Sequence, residues 1–255
     1  MKLTTITTLL LLSPVIASAQ DRIFKMKSDF IGERSIRIHL PENYDESRKR
    51  YPVLYMHDAQ NLFDAKTSFA GEWRVDETLD SLDAQVIVVG IDHGDSRRID
   101  ELTPFANTEH GGGKGKQYLD FLIKELMPRV ESDFRTKCGR RNTAIGGSSL
   151  GALISLYAVL EHPDKFGKAL IFSPSLWFTD DIFKLAESAK RIRTKTYILV
   201  GDSESKGMVP DSEKLIKILD PKMKKDDLQF TVVPGGKHNE KLWATSFAKA
   251  YLWLF

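Results

Sequence analysis

Hydrophobic and polar positions change rhythm along this chain in a regular order. Short apolar, β-branched runs recur at residues 52–57, 86–90, 142–145, 168–172, 196–200 and 229–233. Their continuity fits strands buried on both faces, as in a parallel sheet. Residues 35–40, Ser-Ile-Arg-Ile-His-Leu, alternate instead, which predicts an early, half-exposed antiparallel strand. Amphipathic segments fill the gaps. Residues 116–130 set Leu119, Leu122, Ile123 and Leu126 on one face of a 3.6-residue period, and residues 150–160 are rich in Ala and Leu. A further helix opens at Asp211-Ser212-Glu213, where Asp211 or Ser212 can cap it, and runs through Leu219. The last runs from about Glu240 to the carboxyl terminus. This alternation predicts an α/β fold with a mostly parallel central sheet and helices on both faces.

Residues 91–115 break the pattern. They hold Arg97-Arg98, Pro104 and the run Gly111-Gly112-Gly113-Lys114-Gly115. The run lacks the Gly-Lys-Ser/Thr ending of a phosphate loop and the spacing of a dinucleotide fingerprint. A flexible surface loop is expected here.

The chain has 255 residues, of which 42% are hydrophobic and 28% charged, enough to fill one core, and a single domain over residues 20–255 is expected. The amino terminus reads differently. Lys2, an apolar run, Pro14 and then Ala17-Ser18-Ala19 before polar Gln20-Asp21 follow the order of a secretory signal peptide. Residues 1–19 are therefore expected to be removed by cleavage after Ala19, leaving an exported protein, periplasmic or secreted. No later stretch approaches the roughly 20 apolar residues of a membrane helix, so no membrane contact is expected after cleavage. With 37 Lys and Arg against 35 Asp and Glu, the basic residues read as spread out and matched by acids, giving no reason to expect nucleic acid as a partner. Cys138 is the only cysteine, so it forms no intramolecular disulfide and reads as a bystander thiol. No H-E-x-x-H motif, no paired cysteines and scattered histidines leave no metal site to expect.

The candidate chemistry sits at Gly147-Ser148-Ser149-Leu150-Gly151. A serine hydroxyl attacks well only if a base takes its proton and its oxygen stands clear of the backbone. A tight strand-turn-helix supplies the second condition and needs small residues two places either side, here Gly147 and Gly151. Ser148 fits less well, because its +2 neighbour is Leu150. The Leu150 N–H, at the start of the helix, is one expected oxyanion donor, and the loop after residue 57 offers Gln60 as the second, with Ala59 next. The base is expected after the last strand. His238 in Pro234-Gly235-Gly236-Lys237-His238 meets that order, against His39, His57, His93, His110 and His162. His57, beside the oxyanion loop, is the main rival. The acid is expected after the strand at 196–200, where Asp202 and Glu204 both qualify by position. Asp211 and Asp220 read as a helix start and a helix end. Trp177, Trp73 and Phe63 follow strands and are candidate substrate platforms.

With these residues assembled, the chain resembles the putative-esterase family of α/β-hydrolases, which includes feruloyl, acetyl-xylan and enterochelin esterases, S-formylglutathione hydrolase and mycolyltransferases. The likeness rests on Tyr51-Pro52-Val53-Leu54-Tyr55-Met56-His57-Asp58-Ala59-Gln60-Asn61-Leu62-Phe63-Asp64, on Glu101-Leu102-Thr103-Pro104-Phe105, and on Ile145 to Gly151. Ser173-Pro174-Ser175-Leu176-Trp177 and His238-Asn239-Glu240-Lys241-Leu242-Trp243 complete it. The resemblance implies Glu204 as the acid, and no metal or organic cofactor. It also implies Gly more often than Ala at position 59. The function expected is an exported serine carboxylesterase with a Ser149-His238-Glu204 triad. Its substrate would be a small-molecule or oligosaccharide ester, first a feruloyl or acetyl ester of plant polysaccharide fragments. A catecholate siderophore trilactone is the alternative, with an acyltransferase or a non-catalytic carbohydrate-binding protein behind it.

Overall fold

The computed structural model describes residues 22–68 and 70–255, so the expected leader 1–19 and its cleavage after Ala19 lie outside the described residues. The chain runs through β1 (Arg22–Ser28), β2 (Gly32–His39), β3 (Val53–His57), α1 (Val75–Ser81), β4 (Ile87–Ile91) and α2 (Arg98–Leu102). A two-residue pair follows, β5 (Ala106–Asn107) and β6 (Gly111–Gly112), then α3 (Gly115–Phe121) and α4 (Met127–Asp133). The remainder is β7 (Thr143–Ser148), α5 (Leu150–Glu161), β8 (Lys168–Phe172), α6 (Asp181–Ser188), β9 (Lys195–Gly201), α7 (Met208–Leu219), β10 (Leu228–Val233) and α8 (Glu240–Leu254).

The main sheet has the order β1-β2-β4-β3-β7-β8-β9-β10. The first two contacts are antiparallel and the rest parallel, as the change from alternating to continuous apolar runs predicts. Successive strand side chains point to opposite faces, so each strand feeds two cores. Val53 and Tyr55 of β3 enter one core with α3 to α7, while Leu54 and Met56 enter the other with α1 and α8. Helices thus cover both faces. Among the described residues, no helix is long and apolar enough to cross a membrane.

Three departures from the expected elements trace to particular residues. β1 escapes the alternation test because Ile23 lies on its exposed side while Arg22 is half-buried. The helix expected at 116–130 is present, but a π turn over Leu122–Leu126 joins its two halves. That wide turn precedes Pro128, which has no N–H to donate and whose ring would crowd a regular i−4 carbonyl. Residues 91–115 are packed and not a loose loop. The buried ion pair of Glu101 with Arg34 holds α2, and Gly113 N–H donates to the buried Thr103 Oγ1 at 2.9 Å. A Cβ on Gly112 would stand 2.2 Å from that same oxygen, and one on Gly113 2.9 Å from the Ala106 nitrogen, so both positions are closed to a side chain.

Candidate active site

All the parallel strands end on one edge of the sheet, and the loops after β3, β7, β8, β9 and β10 gather the chemistry there. Ser149 follows β7 with φ 56° and ψ −121°, backbone angles that a side-chain-bearing residue adopts only when its surroundings impose them. Three hydrogen bonds do so. Ser149 N–H donates to the Phe172 carbonyl at 3.0 Å, and its own carbonyl accepts from Leu153 at 3.1 Å and Ser175 at 3.2 Å. A Cβ on Gly147 would stand 3.2 Å from the Gly151 backbone and 3.3 Å from His57 Cδ2, and one on Gly151 would stand 3.2 Å from His57 Cβ. The two small residues that the motif requires are therefore in mutual contact, with His57 wedged beneath them.

His57 is enclosed there. Its Nδ1 lies 2.7 Å from Tyr118 Oη and its Nε2 3.1 Å from Ser155 Oγ, which itself donates to the Gly151 carbonyl. With Ser155 committed as a donor, His57 Nε2 carries the ring proton and Nδ1 accepts from tyrosine. Burial lowers the His57 pKa to about 4, so the ring is neutral at ordinary pH.

His238, in the loop after β10, has Nδ1 2.6 Å from Glu204 Oε2. The Glu204 side chain is buried, and its other oxygen accepts from Ser173 Oγ at 2.7 Å and from the Gly201 N–H. Ser173 Oγ accepts in turn from Trp243 Nε1 at 2.8 Å, and the Trp243 indole meets the His238 ring edge-on at 5.1 Å. Asp202, level with Glu204 by position in the sequence, faces elsewhere. Its Oδ1 accepts from Ser203 Oγ and from Gly235 N–H, tying the β9 turn to the loop that carries His238. Ser173 and Trp243 lie in runs already singled out, but their bonds to the carboxylate depend on side-chain directions that no spacing reveals.

On the other side of Ser149, Leu150 is the first residue of α5 and Gln60 the middle of a single 3₁₀ turn, Ala59–Asn61. Gln60 is held at both ends: its carbonyl accepts from Thr67 Oγ1 at 2.8 Å and its Oε1 from His93 N–H at 3.3 Å. The Ala59 methyl is fully buried against Gly90, where a Cβ would come within 2.6 Å of it. The methyl is thus matched by a glycine on β4. Ser175 Oγ lies 3.2 Å from Ser149 Oγ. Arg98 pairs through two nitrogens with Asp58 at 2.7 and 2.8 Å.

Two cavities share Ser149, Arg98 and His238. The first, about 690 Å³, has Trp177, Phe178, His110, Leu176, Ile99 and Met208 among its walls. The second, about 560 Å³, has Gln60, Asn61, His93, Asp95 and Glu240 among its walls, together with Trp73 and Trp243. Burial holds the Glu240 carboxyl above its usual range. Of the three aromatic platforms expected, Trp177 qualifies: it is 60% exposed and stands in the first cavity with His110 edge-on at 5.4 Å. Phe63 does not. It is buried against His39 and Gly90 and lines neither cavity. Trp73 is also a packing residue, stacked on Phe172 at 5.6 Å with 2% of its surface exposed, and only borders the second cavity. Among the described residues, Glu72, Asp76 and Glu77 alone bring three metal-ligand atoms together, and such acidic groups are common without an ion.

Comparison with known proteins places the chain. The family model described as "Putative esterase" matches residues 28–254. The uncharacterized protein YbbA of Bacillus subtilis is 24% identical over 239 residues, covering 88% of this chain and 93% of that protein. Ferri-bacillibactin esterase BesA of the same organism is 28% identical over 143 residues, about half of each chain. The crystal structure of the enterobactin esterase FES from Shigella flexneri superposes with a TM-score of 0.76 at 20% identity, covering 96% of this chain and 63% of that one. The chain thus belongs to this esterase family of α/β fold and is a hydrolase acting on ester bonds.

Proposed function

We propose that the protein is a serine carboxylesterase in which Ser149, His238 and Glu204 act as a triad. Its Nδ1 proton committed to Glu204, His238 presents Nε2 as the base that takes the Ser149 proton as Oγ attacks the ester carbonyl. The Leu150 and Gln60 N–H groups hold the oxyanion, a contribution of about 3 kcal/mol for each donor. His238 then protonates the departing alkoxide. In the second half it removes a proton from water, the hydroxide attacks the acyl-enzyme, and the proton returns to Ser149 as the acid leaves. The observation that carries this reading is the 2.6 Å contact of His238 with the buried Glu204, at the edge where Ser149 is forced out of its strand.

The substrate we propose is a neutral ester of an aromatic acid, such as a feruloyl ester on a sugar. Trp177, Phe178 and His110 in the first cavity suit a phenyl ring, and the hydrogen-bonding side chains of Gln60, Asn61 and His93 in the second suit a hydroxyl-bearing partner. BesA and FES bear the names of siderophore esterases, which supports the catecholate trilactone as the second reading. The charges of the site weigh against it. Arg98 is already paired with Asp58, and Asp95, Glu240 and Asp211 also line the cavities, so a multiply anionic ferric complex meets carboxylates. A panel of methyl ferulate, acetylated xylan and a ferric catecholate lactone decides. The highest kcat/KM is expected for methyl ferulate, and a preference for the ferric lactone would overturn the substrate. Ser149→Ala is expected to abolish turnover and labelling by a fluorophosphonate, and labelling that persists in the variant would overturn the nucleophile.

A further inference from the structure

The strands carry Ser149, Glu204 and His238 at their carboxyl ends. At the opposite edge, about 17–20 Å away along strands of five to seven residues, the starts of β7, β8, β9 and β10 gather a different set of residues. A groove of about 440 Å³ there is walled by Arg140, Arg141, Lys168, Arg191, Arg193, Lys195 and Lys224, with Asp227 as its lone carboxylate. A neighbouring groove shares Arg140, Arg191 and Arg193 and adds Lys190; its one carboxylate, Asp164, is paired with Lys165 at 3.2 Å. Among the described residues, none of the seven cations has a carboxylate within ion-pair distance. The basic residues that look evenly matched along the sequence are thus brought together by the fold on one face.

Two further observations point to a ligand. Arg140 Nη2 is buried with no hydrogen-bond partner. Lys168 is lowered to about 8, first by burial and then by repulsion from Lys195 and Lys137. The end of α8 borders the same face with apolar side chains: Leu252 is 62% and Phe255 38% exposed, and Trp253 is half-buried. Lys168 Nζ stands 3.9 Å from the Phe255 ring and Lys195 Nζ 4.4 Å from that of Trp253. The carboxyl end of α8 gives Lys168 and Lys195 a reason of their own to sit there. It gives none to Arg141, Arg191, Arg193 or Lys224.

Exposed aromatic and aliphatic side chains set among cations match an interface of lipid phosphates over acyl chains. We propose that this face docks the protein peripherally on an anionic phospholipid surface. Leu252, Trp253 and Phe255 enter the headgroup layer, the arginines and lysines meet the phosphates, and the ester-cleaving mouth faces away from the lipid. This revises the expectation that the folded protein has no contact with membranes, and it does not depend on the substrate.

Co-sedimentation of the full chain with vesicles tests it, using phosphatidylcholine alone and phosphatidylcholine mixed with phosphatidylglycerol. The protein is expected to partition onto the mixed vesicles and to be released as salt rises. At about fivefold per charge, the double variant Arg191→Ala/Arg193→Ala is expected to bind about 25-fold more weakly. Leu252→Ser should also weaken partition, while ester turnover by both variants is unchanged. Equal binding to pure phosphatidylcholine, or an unaffected double variant, overturns the proposal. So does a face that binds inorganic phosphate but gains nothing from vesicles, which would make it a site for a free anion. Tighter retention by duplex DNA than by the mixed vesicles overturns it as well.

Discussion

Glu204 and Asp202 stand two residues apart in one turn, and their side chains do different work. Glu204 is buried and receives His238, Ser173 and the Gly201 N–H, whereas Asp202 holds the turn to Gly235. Removing the acceptor while keeping the shape separates the two. Glu204→Gln is expected to lower kcat by about 10³–10⁴, because the amide no longer fixes the His238 tautomer or balances its charge. Asp202→Asn is expected to cost less than about threefold. Turnover of p-nitrophenyl acetate measures both, and the reverse order would reassign the acid. The two residues cannot be told apart by spacing, since both lie within reach of the loop that carries His238. The direction of each side chain decides between them, and that is set by Ser173 and Trp243, far away in sequence.

At the scale of elements, the turn between β7 and α5 was the most legible part of the chain. Its glycines, the buried strand before it and the apolar helix after it are local features, and local features leave local signatures. What lies beneath the turn was not legible. His57 comes from β3 and fills the space against Gly147 and Gly151, so the glycines are fixed by a neighbour some 90 residues away as much as by the turn itself. Gly151→Val is expected to cost about 1–3 kcal/mol in urea unfolding through this contact and to lower kcat by displacing Ser149. Unchanged stability would mean that His57 moves aside freely. α6 is amphipathic, with Ile182, Phe183 and Ala186 on one buried face, but spans only two turns. The short α2 and the β5–β6 pair leave little local signature because each is held by tertiary contacts. The glycine run read as loose for the same reason: its partner, Thr103, is invisible to a count of glycines.

Across the whole molecule, buried charge and surface charge make separate predictions. His57 is neutral when folded, with a pKa lowered to about 4, and titrates near 6.5 when unfolded. Between those values the unfolded state binds the extra proton, so stability falls as pH drops through this window, by roughly 3 kcal/mol in full. The loss should shrink in His57→Gln when urea unfolding at pH 7 and pH 4.5 is compared between the two proteins. An identical loss would remove His57 as the cause. By itself the sequence determined most of the strand and helix order and the tight turn at Ser149, and it set the chain order of the proposed base and acid, because these depend on neighbours in the chain and on the periodicity of burial. Only the tertiary structure decided which carboxylate meets His238, which aromatic rings face the cavities, and where the cations gather. Those depend on side chains from distant segments meeting in space, as Arg141, Lys168, Arg193 and Lys224 do at the far edge of the sheet from Ser149.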